Sequence, residues 1–235
     1  MILGFDNMAE VLLSSQNLCI GYDSTLIENA NFEIKQGDVI ALLGPSGIGK
    51  TTLLRTIFGA VEPLEGSIVS NIERRGDLGF IPQRLGLIGN MSVESNVLNG
   101  VRVKRPWYQS LTLGLSSTAK KEVSTAISSL GLMEQSEQLV RTLSGGQQRR
   151  VATARTLAQN PKLILADEFL GELDEDNIEL VLSSIKQMLE ANNSAILMVE
   201  HHEEIAQKVA NKIWRIENKT LIEQDVGDAF EEVSI

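Results

Sequence analysis

The stretch from Asp38 to Phe58 reads DVIALLGPSGIGKTTLLRTIF, and its three parts decide the fold. Asp38 to Leu43 is a short apolar run of the length of a buried strand, while TTLLRTIF carries apolar residues at helical spacing. Between them Gly44, Gly47 and Gly49 interrupt regular structure and free the backbone to bend. A buried strand that enters a helix through a glycine loop predicts an α/β core: a mixed or parallel sheet with flanking helices.

Gly44-Pro45-Ser46-Gly47-Ile48-Gly49-Lys50-Thr51 also matches the P-loop pattern in full. The glycine bend lets successive N–H groups point inward at phosphate oxygens, and the helix starting near Lys50 adds its positive end. Lys50 then supplies a compact charge for the β and γ phosphates of a nucleotide. The Thr51 hydroxyl can coordinate Mg²⁺, and Thr52 completes the nucleotide-contacting set. A plain glycine-rich turn is the competing reading; the strand before it and the helix after it favour phosphate.

Upstream, Glu10 to Ile20 and Ala30 to Ile34 mix apolar and polar residues as strands of a half-exposed antiparallel layer do. Further strands are expected at Gly66 to Val69, Asp77 to Pro82, Lys162 to Ala166, Ala195 to Val199 and Lys212 to Ile216. From about Met91 to Arg141 the strand pattern disappears. Ser117 to Leu130 has helical spacing with a stop at Gly131, so residues 91–142 predict a helical subdomain inserted into a single domain spanning 1–235. Ser144 is a natural N-cap for a helix through about Gln159, ended by Asn160 and Pro161, and Asp174 can cap another through about Ala191.

A chain of 235 residues suits one compact domain, and 43% hydrophobic with 22% charged residues excludes a disordered or fibrous class. The single cysteine, Cys19, can form neither an internal disulfide nor a Cys/His zinc cluster; it reads as a small core residue in a reducing compartment. The opening MILGFDNMAEVLL carries Asp6 and Glu10 and lacks a basic start, which predicts no signal peptide. No apolar run approaches the roughly 20 residues that span a bilayer, so a membrane role needs another chain.

The net charge of −10 removes the generic attraction to a nucleic-acid backbone, and no nucleic acid is expected as a partner. Arg102, Lys104 and Arg105 beside Trp107 and Tyr108 interleave basic and aromatic residues as a single-strand binder does. In so acidic a chain the cluster reads better as a solvated loop.

Leu163 to Glu168, LILADE, is an apolar strand that ends in two adjacent carboxylates. In a P-loop enzyme the first, Asp167, holds Mg²⁺ and the second, Glu168, polarises the water that attacks the γ-phosphate. An acidic helix cap is the ordinary alternative. Leu143-Ser144-Gly145-Gly146-Gln147 adds a second anion site: a serine hydroxyl and glycine N–H groups at a helix start.

On these motifs the chain resembles the ABC ATPases, whose marks occur in order from Tyr22 to His201. The resemblance implies ATP and Mg²⁺ as ligands, with Tyr22 stacking on adenine. Gln83 would touch Mg²⁺ and the attacking water and sense the membrane partner. Gly171-Glu172-Leu173-Asp174 resembles the D-loop that reaches the partner's P-loop, although an N-cap equally explains Asp174. His201 would contact the γ-phosphate; His202 stands where an aspartate is common and receives no role. Phe169 and Gly171 depart from the usual proline and serine, beside the hydrolytic carboxylate.

The family's geometry implies two subunits, expected as a homodimer, sandwiching two nucleotides between the P-loop of one and Ser144, Gly145, Gly146 and Gln147 of the other. SVESNVLNGVRVKRPWYQSLTLGL and RTLSGGQQRRVATARTLAQNPKLILADE are similar to the ATPases of phosphonate importers. That similarity implies ATP hydrolysis coupled to transport at the cytoplasmic face of a membrane, through a permease and, indirectly, an extracytoplasmic solute-binding protein. An exporter or lipoprotein-release ATPase, and a non-transport ABC ATPase acting on nucleic acid, are the alternatives.

Overall fold

Alternation along the buried strands sorts the core into two halves. The computed structural model describes residues 9–104 and 116–230. Its strands are β1 (Val11–Gly21), β2 (Thr25–Ala30), β3 (Glu33–Lys35), β4 (Val39–Leu43), β5 (Glu65–Ser70), β6 (Leu78–Ile81), β7 (Leu163–Asp167), β8 (Ala195–Val199), β9 (Lys212–Glu217) and β10 (Thr220–Asp225). The main helices are α1 (Lys50–Phe58), α2 (Val93–Val103), α3 (Ser117–Ser129), α4 (Gly145–Gln159), α5 (Glu175–Asn192) and α6 (Glu203–Val209).

Six strands form one sheet in the order β10-β9-β4-β8-β7-β6, parallel except for the β9–β10 hairpin. Since successive side chains on a strand face opposite ways, β4 sends Val39, Ala41 and Leu43 to one core and Ile40 and Leu42 to the other. The first core is closed by Val151, Ala152 and Ala154 of α4 and by Val181 and Ile185 of α5. The second is closed by Leu53, Leu54 and Ile57 of α1 and by Leu12, Ile20 and Ile34 of the antiparallel layer. Each fully buried Ile or Leu here contributes about 1.5–3 kcal/mol, so the layer and the parallel sheet hold each other in place.

In the antiparallel layer β1 is the shared strand, pairing with β2, β3 and β5. One expectation about this layer needs correction. The expected strand from Ala30 to Ile34 is broken in two: Ala30 ends β2, Glu33 and Ile34 belong to β3, and Asn31 and Phe32 make a corner between them. Asn29 takes φ 49°, and Asn31 caps the corner by accepting the Asn17 N–H at 2.8 Å and donating to Asn29 O at 2.8 Å. The layer is half-exposed as its mixed composition suggests: Leu12, Leu18 and Ile20 of β1 are buried against the second core, while β5 has no buried residue.

Within the stretch expected as a helical insertion, the described residues form α2 and α3, which pack against α4. Ser92 and Ser116 cap α2 and α3 by accepting the Ser95 and Ala119 N–H groups. Of the basic and aromatic cluster, Arg105, Trp107 and Tyr108 lie outside the described residues. Arg102 and Lys104 are exposed, and Lys104 Nζ donates to Asn160 O. Cys19 is buried in β1 and accepts the Asn29 N–H at 3.4 Å. No described helix is long and apolar enough to cross a membrane.

Candidate nucleotide and hydrolysis site

Because β4, β6, β7 and β8 are parallel, their C-terminal ends share one edge of the sheet, where open α/β sheets bind ligands. β4 delivers the glycine loop, β7 delivers Asp167 and Glu168, β8 leads to His201, and Gln83 lies two residues past β6. The left-handed turns at Gly47 (φ 81°) and Gly49 (φ 118°) set the loop's curvature. Gly49 is also crowded: a β-carbon there would stand 3.1 Å from Leu26 Cβ. That approach sets the β1–β2 turn beside the loop, and Tyr22 in this turn is 57% exposed, free to stack on a ring.

Lys50 is buried, and its Nζ donates to Gly44 O at 2.6 Å and Pro45 O at 3.0 Å. Burial lowers its pKa, opposed by the nearby Glu168 and Asp167 carboxylates. The ammonium is thus turned into the loop, where an anion would restore its charge balance. Thr52 is buried behind it, and Thr51 Oγ1 donates to Asp167 Oδ1 at 3.2 Å.

Asp167 and Glu168 are adjacent in sequence but differ in environment. Burial pushes the Asp167 carboxyl up, partly offset by the Thr51 hydrogen bond. Glu168 is pulled below its ordinary range first by its hydrogen bond with His201, against some burial and with help from Gln83 and Lys50. Gln83 Nε2 donates to Glu168 Oε2 at 2.6 Å, and His201 Nε2 lies 2.6 Å from Glu168 Oε1. Glu168 also takes φ 50°, a left-handed position sparsely used by residues with a β-carbon and concentrated at functional turns.

Among the described residues no group of three His, Cys, Asp or Glu is placed to hold a metal. A divalent cation at Asp167 would therefore rest on Thr51 Oγ1, Asp167 and further oxygens such as phosphate. Hard oxygen donors of that kind fit Mg²⁺, which keeps few protein ligands, and the buried Asp167 carboxylate gains a counter-charge.

The second glycine motif lies elsewhere. Ser144 caps α4 by a full capping box: its Oγ accepts the Gln147 N–H at 3.2 Å, while Gln147 Oε1 accepts the Ser144 N–H at 2.9 Å. Ser144, Gly145, Gly146 and Gln147 line a cleft of about 340 Å³ with Glu172 and Asp174, and no residue of the glycine loop borders it. Asp174 Oδ1 accepts the Asn177 N–H at 2.9 Å and caps α5. The structure therefore unites the P-loop with Asp167, Glu168, Gln83 and His201, and leaves the Ser144 turn apart from them.

Two residues escaped the sequence reading. Arg149 is buried and donates from Nη1 to Glu168 O at 3.1 Å and from Nη2 to Glu172 Oε1 at 3.2 Å, tying α4 to the turn after β7. Glu200, between β8 and His201, is buried with Oε1 unpartnered. Burial, against a hydrogen bond to the His201 backbone and reinforced by Glu168, pushes its carboxyl up to about 7. Phe169 is fully buried, and His202 is exposed without a capping hydrogen bond.

The profile of the ABC transporter family matches residues 27–171. The chain belongs to this family, binds ATP and is an ATPase of its kind. Among its relatives, the phosphonates import ATP-binding protein PhnC of Treponema denticola is 33% identical, over 94% of this chain and 91% of that protein. The hypophosphite import ATP-binding protein HtxD of Stutzerimonas stutzeri is 33% identical over 88% of this chain and 64% of that protein. Among solved structures, a dimeric ATP-binding cassette in a post-hydrolysis state with ADP and Pi superposes with a TM-score of 0.80 at 26% identity, over 92% of this chain and 99% of that chain. A putative metal-chelate type ABC transporter in an inward-facing conformation gives a TM-score of 0.79 at 28% identity, over 92% of this chain and 84% of that chain.

Proposed function

We infer that this chain is the ATPase subunit of an importer for phosphonate-like solutes, and that it hydrolyses ATP as one of two subunits closed around two nucleotides. The observation that carries the paired mechanism is the separation just described. One edge of the sheet gathers the P-loop, Asp167, Glu168, Gln83 and His201, while the Ser144 turn lines a cleft that none of them enters. A second copy supplies the missing turn to each nucleotide.

In this reading the glycine loop and Lys50 hold the β and γ phosphates, Thr51 and Thr52 extend the cradle, and Tyr22 stacks on adenine. Thr51, Gln83 and Asp167 would hold Mg²⁺, which when bound would neutralise phosphate charge. Glu168, kept ionised by His201 and Gln83, takes the proton of a water as that water attacks the γ-phosphorus and the bond to ADP breaks. His201 and the partner's Ser144 turn, with Gly145, Gly146 and Gln147, are placed to receive the terminal phosphate. Asp174 holds the turn beside them through its cap on α5.

Residues 1–235 act as one domain, with the segment 91–142 as the helical part that faces the permease. The match to importer ATPases for two phosphorus oxyanion classes supports a solute of that chemistry, carried to the permease by a binding protein outside the membrane. The subunit then works at the cytoplasmic face without crossing the membrane itself.

The pairing is tested by size-exclusion chromatography of Glu168→Gln with saturating ATP and Mg²⁺. A dimer that reverts to monomer in ADP is expected, and a persistent monomer contradicts the scheme. For the solute, co-purification of the permease and mass spectrometry of the ligand on its binding protein should return a phosphonate or a related phosphorus oxyanion.

A further inference from the structure

The turn between β7 and α5 carries a glutamate in an unusual position. Glu172 has φ 64°, and its exposed side chain lies against the start of α4. Its Oε1 lies 3.2 Å from Arg149 Nη2, and a β-carbon added to Gly145 would stand only 2.8 Å from its Oε2. One oxygen is thus tied to a cation while the other rests against the first glycine of the Ser144 turn. Gly146 also lies under this turn, since a β-carbon there would be 3.4 Å from Glu172 O.

The anchor cannot follow the carboxylate if it moves. Arg149 is buried and its other hand, Nη1, is committed to Glu168 O. The carboxylate is therefore leashed over a helix start whose first-turn N–H groups attract anions. A terminal phosphate arriving at Ser144, Gly145 and Gly146 would meet a like charge already in place.

We propose that Glu172 is an internal competitor for the phosphate-binding turn, and that the partner's nucleotide must displace its carboxylate before the two subunits close. The proposal rests on the paired reading above and adds a residue that sets how much ATP the pairing needs. Displacement also releases Arg149 Nη2 while Nη1 still holds the Glu168 carbonyl, so occupancy of one turn reaches the hydrolytic carboxylate of the same chain.

The test adds Glu172→Gln to Glu168→Gln and follows dimer formation by sedimentation velocity across an ATP titration with Mg²⁺. The neutral variant should dimerise at about fivefold less ATP, the scale of an exposed charge contact. That gap should narrow as ionic strength rises from about 50 mM to 500 mM, because exposed charges are screened. ATP affinity of the monomer, measured by fluorescent-nucleotide displacement, should not change, since the glycine loop lies apart from this cleft. An unchanged or higher ATP requirement, or a gap indifferent to salt, overturns the proposal. If neither protein dimerises, the paired reading fails and takes the proposal with it.

Discussion

The chain has two glycine-rich helix starts suited to phosphate, and they are finished to different degrees. Around the P-loop, four parallel strands deliver a lysine, two carboxylates, a glutamine and a histidine to one sheet edge. Around the Ser144 turn there is a capping box and a cleft, and the nearby Arg149 is already engaged by Glu168 O and Glu172. The first region gathers its phosphate-facing groups on one chain. The second offers donors but no complement of its own to use them, which is what a surface completed by another molecule looks like.

The largest expected effect breaks the first region only. Glu168→Gln should lower the rate of phosphate release by at least about 100-fold, the usual range for a general base, with ATP binding preserved in an equilibrium assay. Lys50→Ala should weaken ATP binding to the isolated subunit by tenfold or more, on the order of one charge-assisted hydrogen bond. Ser144→Ala should leave that monomer affinity unchanged and reduce only the dimer and its turnover. If Ser144→Ala and Lys50→Ala weaken the monomer's ATP affinity alike, the two regions are not distinct.

Glu200 sharpens the picture of the first region. Its folded carboxyl sits at about 7 against an ordinary 4.5, chiefly through burial. The folded chain therefore holds a proton that the unfolded chain releases. The resulting penalty is absent below about pH 4.5, grows as pH rises and is complete above about pH 7. Glu200→Gln should raise stability at pH 8 by about 2 kcal/mol, below the ceiling set by 1.36 kcal/mol per unit. The gain should vanish near pH 4.5, as thermal melts across pH will show. Smallest of all, Ser144→Ala and Asp174→Ala should each cost about 1 kcal/mol in urea unfolding through loss of an N-cap.

What the sequence made legible follows from what its signals measure. β4 and β8 are apolar throughout, and β7 is apolar up to its terminal Asp167, because both faces are covered, and such runs stand out. The caps Ser144 and Asp174 were legible because capping is local chemistry. β10 went unread since it is an exposed edge strand with no apolar alternation, defined by its pairing with β9 rather than by its own residues. β2 went unread for a similar reason, with a buried position only at Ile27 and Ala30.

Of the site, every motif residue within the described chain was named beforehand, yet the sequence could not say which would meet. Arg149 and Arg150 are neighbours of one type, and only packing distinguishes them: Arg149 holds Glu168 O, while Arg150 donates to Leu130 O. Glu200 reads as an ordinary polar residue after a strand; its burial becomes evident only when β4 and the His201 turn close over it.

The claim that one terminal phosphate is shared by two chains can be tested with thiols, using Cys19→Ser to remove the only native cysteine. Ser46→Cys subunits mixed with Ser144→Cys subunits, each in the Cys19→Ser and Glu168→Gln background, are treated with a short bis-maleimide. A cross-linked heterodimer that forms with ATP and Mg²⁺, and not with ADP, is the predicted result. No cross-link under saturating ATP, or an efficient one within a single chain carrying both cysteines, would contradict it.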